Sequence, residues 1–182
     1  NDIIRASQVC DLCICYAVDD NTTTGSENDF TESLIISTGR PLIVIPKQFN
    51  ATINFDKIVV GWNGSHEAAR AVFDALPVLK RASEVHFTVV DPQKMEDRTA
   101  KWAGADISET IARHGVKASA DNYPTNVEDP WSAILKHAKD LGTDLIVRND
   151  SGHSRLLAYI VAGPSRTIPE YMNIPHLIDP VT

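Results

Sequence analysis

The chain has 182 residues, a formal net charge of −7, and 43% hydrophobic against 23% charged residues, enough for one full domain and part of another with a core of ordinary size. The acidic balance and the lack of Lys/Arg clusters exclude a nucleic-acid backbone as main partner, because phosphate neutralisation needs grouped cations. The longest apolar runs, such as "PLIVIP" at 41–46, are too short to span a bilayer, so no membrane association is expected. No secretory signal is visible and the first residue is not Met, so the sequence is expected to begin inside a longer product.

In chain order, the three cysteines come first, in "VCDLCIC". An odd, closely spaced set reads poorly as a disulfide framework. Cys13 and Cys15 are two apart on an expected strand and serve as small apolar residues in a reducing compartment, with no metal role. The Asn-x-Ser/Thr sequons at Asn21, Asn50, Asn63 and Asn149 are chance matches without a secretory signal.

"KIVVGW" (57–62) is a continuous apolar run and predicts a buried strand. "SHEAARAVFDALPVLKRA" (65–82) has helical spacing, Ser65 as N-cap, and a bend or end near Pro77. "EVHFTVVD" (84–91) predicts a second strand and "ADISETIARHG" (105–115) a helix closed by Gly115. "VKASADNY" (116–123) alternates, as a strand nearer an edge does. "DPWSAILKHAKDLG" (129–142) is a helix with Pro130 near its first position, "DLIVRN" (144–149) a fourth strand, and "PHLID" (175–179) a fifth. Helical material is expected between the last two, broken near Pro164 and Pro169. The βαβαβαβαβ order implies a parallel sheet with right-handed crossovers and helices on both faces.

Residues 1–48 repeat part of this plan. "CDLCICY" to "GRPLIVIP" and "TDLIVRN" to "NIPHLIDP" each read as an Asp-Leu strand, a loop, a helix and a strand opened by Pro. The expected fold is therefore α/β: an open parallel five-stranded sheet, Rossmann-like or flavodoxin-like, plus a βαβ remnant of a preceding similar domain. Residues 1–48 are the C-terminal part of a first domain, 49–56 a linker, and 57–182 a complete second copy. The two Pro-opened last strands are expected to pair with each other, in an intramolecular pseudo-dimer or a homo-oligomer.

Ligands of open parallel sheets sit beyond the carboxyl ends of the strands where strand order reverses. Two segments belong there: "GWNGS" after the first strand of the full copy, and "VRNDSGHSRLLAYIVAGPSR" (147–166) after the fourth. Asp91 ends the second strand on the same side, as a ribose contact or as a turn residue before Pro92. No G-x-S-x-G elbow and no metal-spaced histidines are present, so no catalytic residue and no metal is expected.

"IVVGWNGSHEAARAVFDALPVLKRA", "ETIARHGVKA", "GTDLIVRNDSGHSRL" and "IPHLI" resemble the universal stress protein family in its tandem-domain form, over essentially all of 57–182. The resemblance implies a cytoplasmic, commonly dimeric stress-response protein, in some members binding ATP through an Asp after the first strand and a G-x2-G-x9-G-[ST] loop after the fourth. Carried onto this sequence, the nucleotide contacts fall on Asn63, Gly64, Ser65, Asp91, Asn149, Gly152, His153, Ser154, Arg155, Gly163, Ser165 and Arg166. Several positions depart from the pattern. Asn63 replaces the acid, Asn149 the first loop glycine and Ala162 the third; Pro164 has no N–H, and Asp150 adds negative charge. Arg148, Arg155, Arg166 and the amides opening a helix at Ser154 still favour an anion. His153 and Ser154 also serve simply as turn and N-cap, and Ser165 and Arg166 as the start of an exposed helix.

The expected function is a non-catalytic stress-response module with a degraded nucleotide-binding loop. The alternatives are a genuine binder of ATP or another adenine nucleotide, and an enzyme acting on an adenylated nucleotide.

Overall fold

The computed structural model describes residues 2–17, 28–46, 49, 52–92, 100–124, 130–149 and 173–179. The elements are α1 (Asp2–Ser7), β1 (Cys13–Tyr16), α2 (Asn28–Ser37), β2 (Leu42–Ile45), β3 (Lys57–Gly61), α3 (His66–Asp74), α4 (Leu76–Leu79), β4 (Glu84–Val90), α5 (Ala100–Ala112), β5 (Ala118–Tyr123), α6 (Pro130–Asp140), β6 (Leu145–Asn149) and β7 (His176–Asp179). Most follow the sequence pattern within a few residues. The helix at α1 has no counterpart in the sequence reading, because six residues are too few to display a periodicity. The single helix expected over 65–82 is two: Ala75 interrupts it, and Pro77, which lacks the N–H that would continue the ladder, sits in the first turn of α4. The helical material expected between β6 and β7 lies outside the described residues.

All strands join one seven-stranded sheet of order β1-β2-β7-β6-β3-β4-β5. β1 and β2 thus continue the sheet formed by β3–β7. Neighbours run parallel except β2 and β7, which pair antiparallel with Leu42 opposite Ile178, Ile43 opposite Leu177 and Val44 opposite His176. Strand order reverses between β3 and β6, since β4 lies on the other side of β3.

The apolar runs are continuous because the central strands are covered on both faces. On one face Val60, Phe87, Val147 and Leu177 pack under Val72 and Leu79 of the α3–α4 pair and Ile111 of α5. On the other, Val59 and Ile146 pack under Ile134, Leu135 and Ala138 of α6, while Leu34 and Ile35 of α2 cover Leu42, Val44 and Ile178. Fully burying each such side chain is worth about 1.5–3 kcal/mol. Among the described residues no helix is long and apolar enough to cross a membrane.

Helix α5 approaches the sheet through Gly104. A Cβ there would meet Val89 Cγ2 at 2.9 Å and Ala120 Cβ at 3.3 Å, both on strands that cannot retreat separately. Gly104→Val is therefore expected to destabilise by about 1–3 kcal/mol despite better helix propensity, read from the midpoint of urea unfolding at unchanged slope.

Candidate nucleotide-binding edge

Parallel pairing of β4, β3 and β6 brings their carboxyl ends side by side. Asn63, Gly64 and Ser65 follow β3, Asp91 follows β4, and Asn149 ends β6, so the topology gathers these five positions on one edge at the reversal point. Gly152, His153, Ser154, Arg155, Gly163, Ser165 and Arg166 lie outside the described residues, as do Ala162 and Pro164.

The described groups are engaged with the protein itself. The Asn63 side-chain oxygen accepts from the Ser65 N–H at 3.0 Å, closing a local turn in which Gly64 has φ +75°. The Ser65 hydroxyl oxygen accepts from the Ala68 N–H at 3.1 Å and caps α3. The Glu67 carboxyl is held below its ordinary range by its own backbone N–H and then by the Ser65 hydroxyl. It also lies 3.0 Å from the exposed His66 imidazole. The first turn of α3 therefore already holds an internal carboxylate. Sequence reasoning named Ser65 as a cap but missed Glu67, although an acid in a first helical turn is a legible signal.

Asp91 is buried at the end of β4, with φ +46° and its N–H donated to the Tyr123 carbonyl at 3.2 Å. Asp tolerates that left-handed conformation better than most residues, so its place in the turn explains it without a ligand. Trp62 presents its edge to Phe87, with ring centroids 6.3 Å apart, as a partly buried member of the core. Arg148 turns to the opposite face, where its guanidinium carbon sits 3.7 Å from the centroid of the Trp131 ring on α6.

A residue absent from the sequence reading dominates the electrostatics. Asp179, opposite Asn149 in register at the end of β7, is only 3% exposed. Its Oδ2 lies 3.3 Å from Arg70 Nε on α3, and the same Nε is 3.7 Å from Asp74 Oδ2. Burial pushes the Asp179 carboxyl up to about 7, against the opposing pull of Arg70 and with help from Asp74. An acid inside the apolar run "HLID" was the available signal. Among the described residues no group of three or more His, Cys, Asp or Glu is placed to hold a metal.

No family model matches the chain, and no curated protein matches it. Among solved structures, a universal stress protein from Archaeoglobus fulgidus DSM 4304 aligns with a TM-score of 0.66 at 19% identity over 97% of this chain. The chain has the universal-stress-protein fold. It spans 63% of that relative's length. A protein of the universal stress protein family from Burkholderia pseudomallei aligns at a TM-score of 0.48 and 19% identity, over 72% of this chain and 100% of its own. A second Archaeoglobus fulgidus universal stress protein aligns at 0.46 and 18%, over 60% of this chain and 90% of its own.

Within this universal-stress-protein fold, Asp179 is expected to make stability fall with rising pH. Its folded pKa lies above the ordinary 3.8, so the folded state keeps a proton that the unfolded chain releases. The contribution is complete below about pH 4 and is lost as pH rises through about 7. Asp179→Asn removes the titration. Its stability relative to the parent is expected to climb between pH 4 and 7 and then level off, in denaturant titrations across that range; a pH-independent difference would refute this assignment.

Proposed function

We propose that the chain is a universal stress protein acting as a non-catalytic cytoplasmic stress-response module that holds adenine nucleotides weakly or not at all. Residues 1–48 are read as the end of a first domain, 49–56 as a linker and 57–182 as a complete second copy, making the β2–β7 joint an intramolecular pseudo-dimer contact. The fold supports the family reading. The observation that supports weak nucleotide affinity is the loop after β3, where Asn63 and Ser65, two of the positions onto which the family's nucleotide contacts fall, are already bonded within the chain.

The sequence adds to it. Ala162 places a Cβ where backbone should approach phosphate, and Pro164 withdraws an N–H. Losing one charge-assisted hydrogen bond costs about 1.5–3 kcal/mol, so two such defects weaken binding by roughly a hundredfold or more. Calorimetric titration with ATP at low salt is expected to give millimolar or undetectable affinity. The triple variant Asn63→Asp, Ala162→Gly, Pro164→Ser is expected to tighten it by about tenfold or more. Micromolar binding by the parent chain would overturn the proposal in favour of a genuine ATP binder. No gain in the triple variant would place the defect in the loop geometry instead of these residues.

A further inference from the structure

The three cysteines near the start of the chain sit in unlike surroundings. Cys10 is exposed, while Cys13 and Cys15 are half-buried against the core beneath α2. Burial, and then Cys13, push the Cys15 thiol up to about 11, which removes it as a nucleophile. Cys10 and Cys13 remain, separated by Asp11 and Leu12 in a C-x-x-C arrangement.

The fold brings this pair to one place. The chain bends at Cys10 and Asp11, between the end of α1 and the start of β1. The Ser7 carbonyl accepts from the Cys10 amide at 3.2 Å and from the Cys13 thiol at 3.7 Å. One oxygen therefore meets both residues, and the Cys13 sulfur lies within two hydrogen-bond lengths of the Cys10 nitrogen. The Cys10 thiol donates to the neighbouring Ala6 carbonyl at 3.3 Å, so both sulfurs rest on the last turn of α1. The Cys10 side chain is exposed, and rotation about its first torsion carries its sulfur off Ala6. Cys15 has no such route to Cys13. The two are separated by two strand steps of about 3.3 Å each. A disulfide holds its Cβ atoms within about 4.5 Å.

We propose that Cys10 and Cys13 form a reversible redox site that exchanges with low-molecular-weight disulfides of the glutathione class. The Cys10 thiolate attacks one sulfur of the external disulfide, whose S–S bond breaks to release one thiolate. The Cys13 thiolate then attacks the Cys10 sulfur of the mixed disulfide and releases the second. Two protein thiols become one disulfide, one external disulfide becomes two thiols, and the cysteine protons pass to the leaving groups. Exposure makes Cys10 the attacking thiol and Cys13 the resolving one. Closure draws the Cys13 sulfur from the Thr38 hydroxyl, 3.7 Å away, and ties the end of α1 to the first residue of β1. Because α1 seats Ile4 on the core beneath α2, and the Gln8 side-chain amide after it donates to the Ser37 carbonyl at 3.2 Å, the bridge acts on the α1–α2 contact. The site is independent of nucleotide affinity.

The test equilibrates the reduced full chain with oxidised and reduced glutathione at varied ratios, alkylates the remaining thiols and maps them by peptide mass spectrometry. Two of the three thiols are expected to be lost together, in one peptide lighter by two hydrogens, with Cys15 still alkylated. Excess dithiothreitol is expected to restore all three. Cys13→Ser is expected to trap a glutathione adduct on Cys10. Cys10→Ser, at an exposed position where a hydroxyl keeps the bond to Ala6, is expected to slow thiol loss by about tenfold or more. A lasting adduct on Cys10 of the parent chain would overturn the proposal. So would a Cys13–Cys15 bridge, a disulfide-linked dimer, or thiols unchanged at the most oxidising ratio.

Discussion

The antiparallel pairing of β2 with β7 is the contact on which the rest of the molecule depends. It is one short ladder, yet it places Leu42, Ile43 and Val44 against Ile178, Leu177 and His176, all buried. Without it, β2 would offer an open apolar edge, and the core beneath α2 would lose Ile178. With it, the short β1–α2–β2 segment, too small to bury its own sheet, shares the interior built on β3–β7. The inside of the joint is not wholly apolar. His176 lies beside Arg148 and Trp131, its ring centroid 5.8 Å from that of Trp131. Burial, and then the Arg148 charge, push its pKa down to about 3, so it stays neutral at physiological pH.

Polar groups elsewhere serve mainly to lock elements together. Asp121 on β5 takes bonds from His86 of β4 and His137 of α6, and the Ser119 hydroxyl lies 3.3 Å from the same His86 nitrogen. Serine and aspartate therefore meet one ring nitrogen, whereas a nucleophilic relay needs them on opposite nitrogens. The cysteines follow the same plan. Cys15 is pushed up to about 11 by burial and then by Cys13, which leaves its thiol protonated and inert beneath α2.

At the carboxyl edge some described polar groups bond within the chain, while Trp62 Nε1 and Asp179 Oδ1 are buried without a hydrogen-bond partner among the described residues. Asn63 closes a turn, Ser65 and Glu67 cap a helix, and Asp91 holds a strained strand end. Asp179 adds a buried acid next to the Asn149 position, 3.3 Å from Arg70 Nε.

By itself the sequence determined the alternation of buried strands and helices, the repeated Asp-Leu and Pro-opened segments, and the strand ends that gather Asn63, Asp91 and Asn149. Those follow from local periodicity, capping and turn chemistry, which a one-dimensional string carries in full. The tertiary structure decided the rest. The pairing of the two Pro-opened strands is itself an expectation from the sequence; only the structure shows it as an antiparallel ladder that brings β1 and β2 into one seven-stranded sheet with β3–β7. Only there does Arg148 take the face on which its guanidinium stacks over Trp131, since the face a strand residue takes depends on register. Asp179 looks in sequence like a residue ending a strand. Its near-neutral titration arises from the burial and the Asp74 neighbour that folding brings around it, against the pull of Arg70.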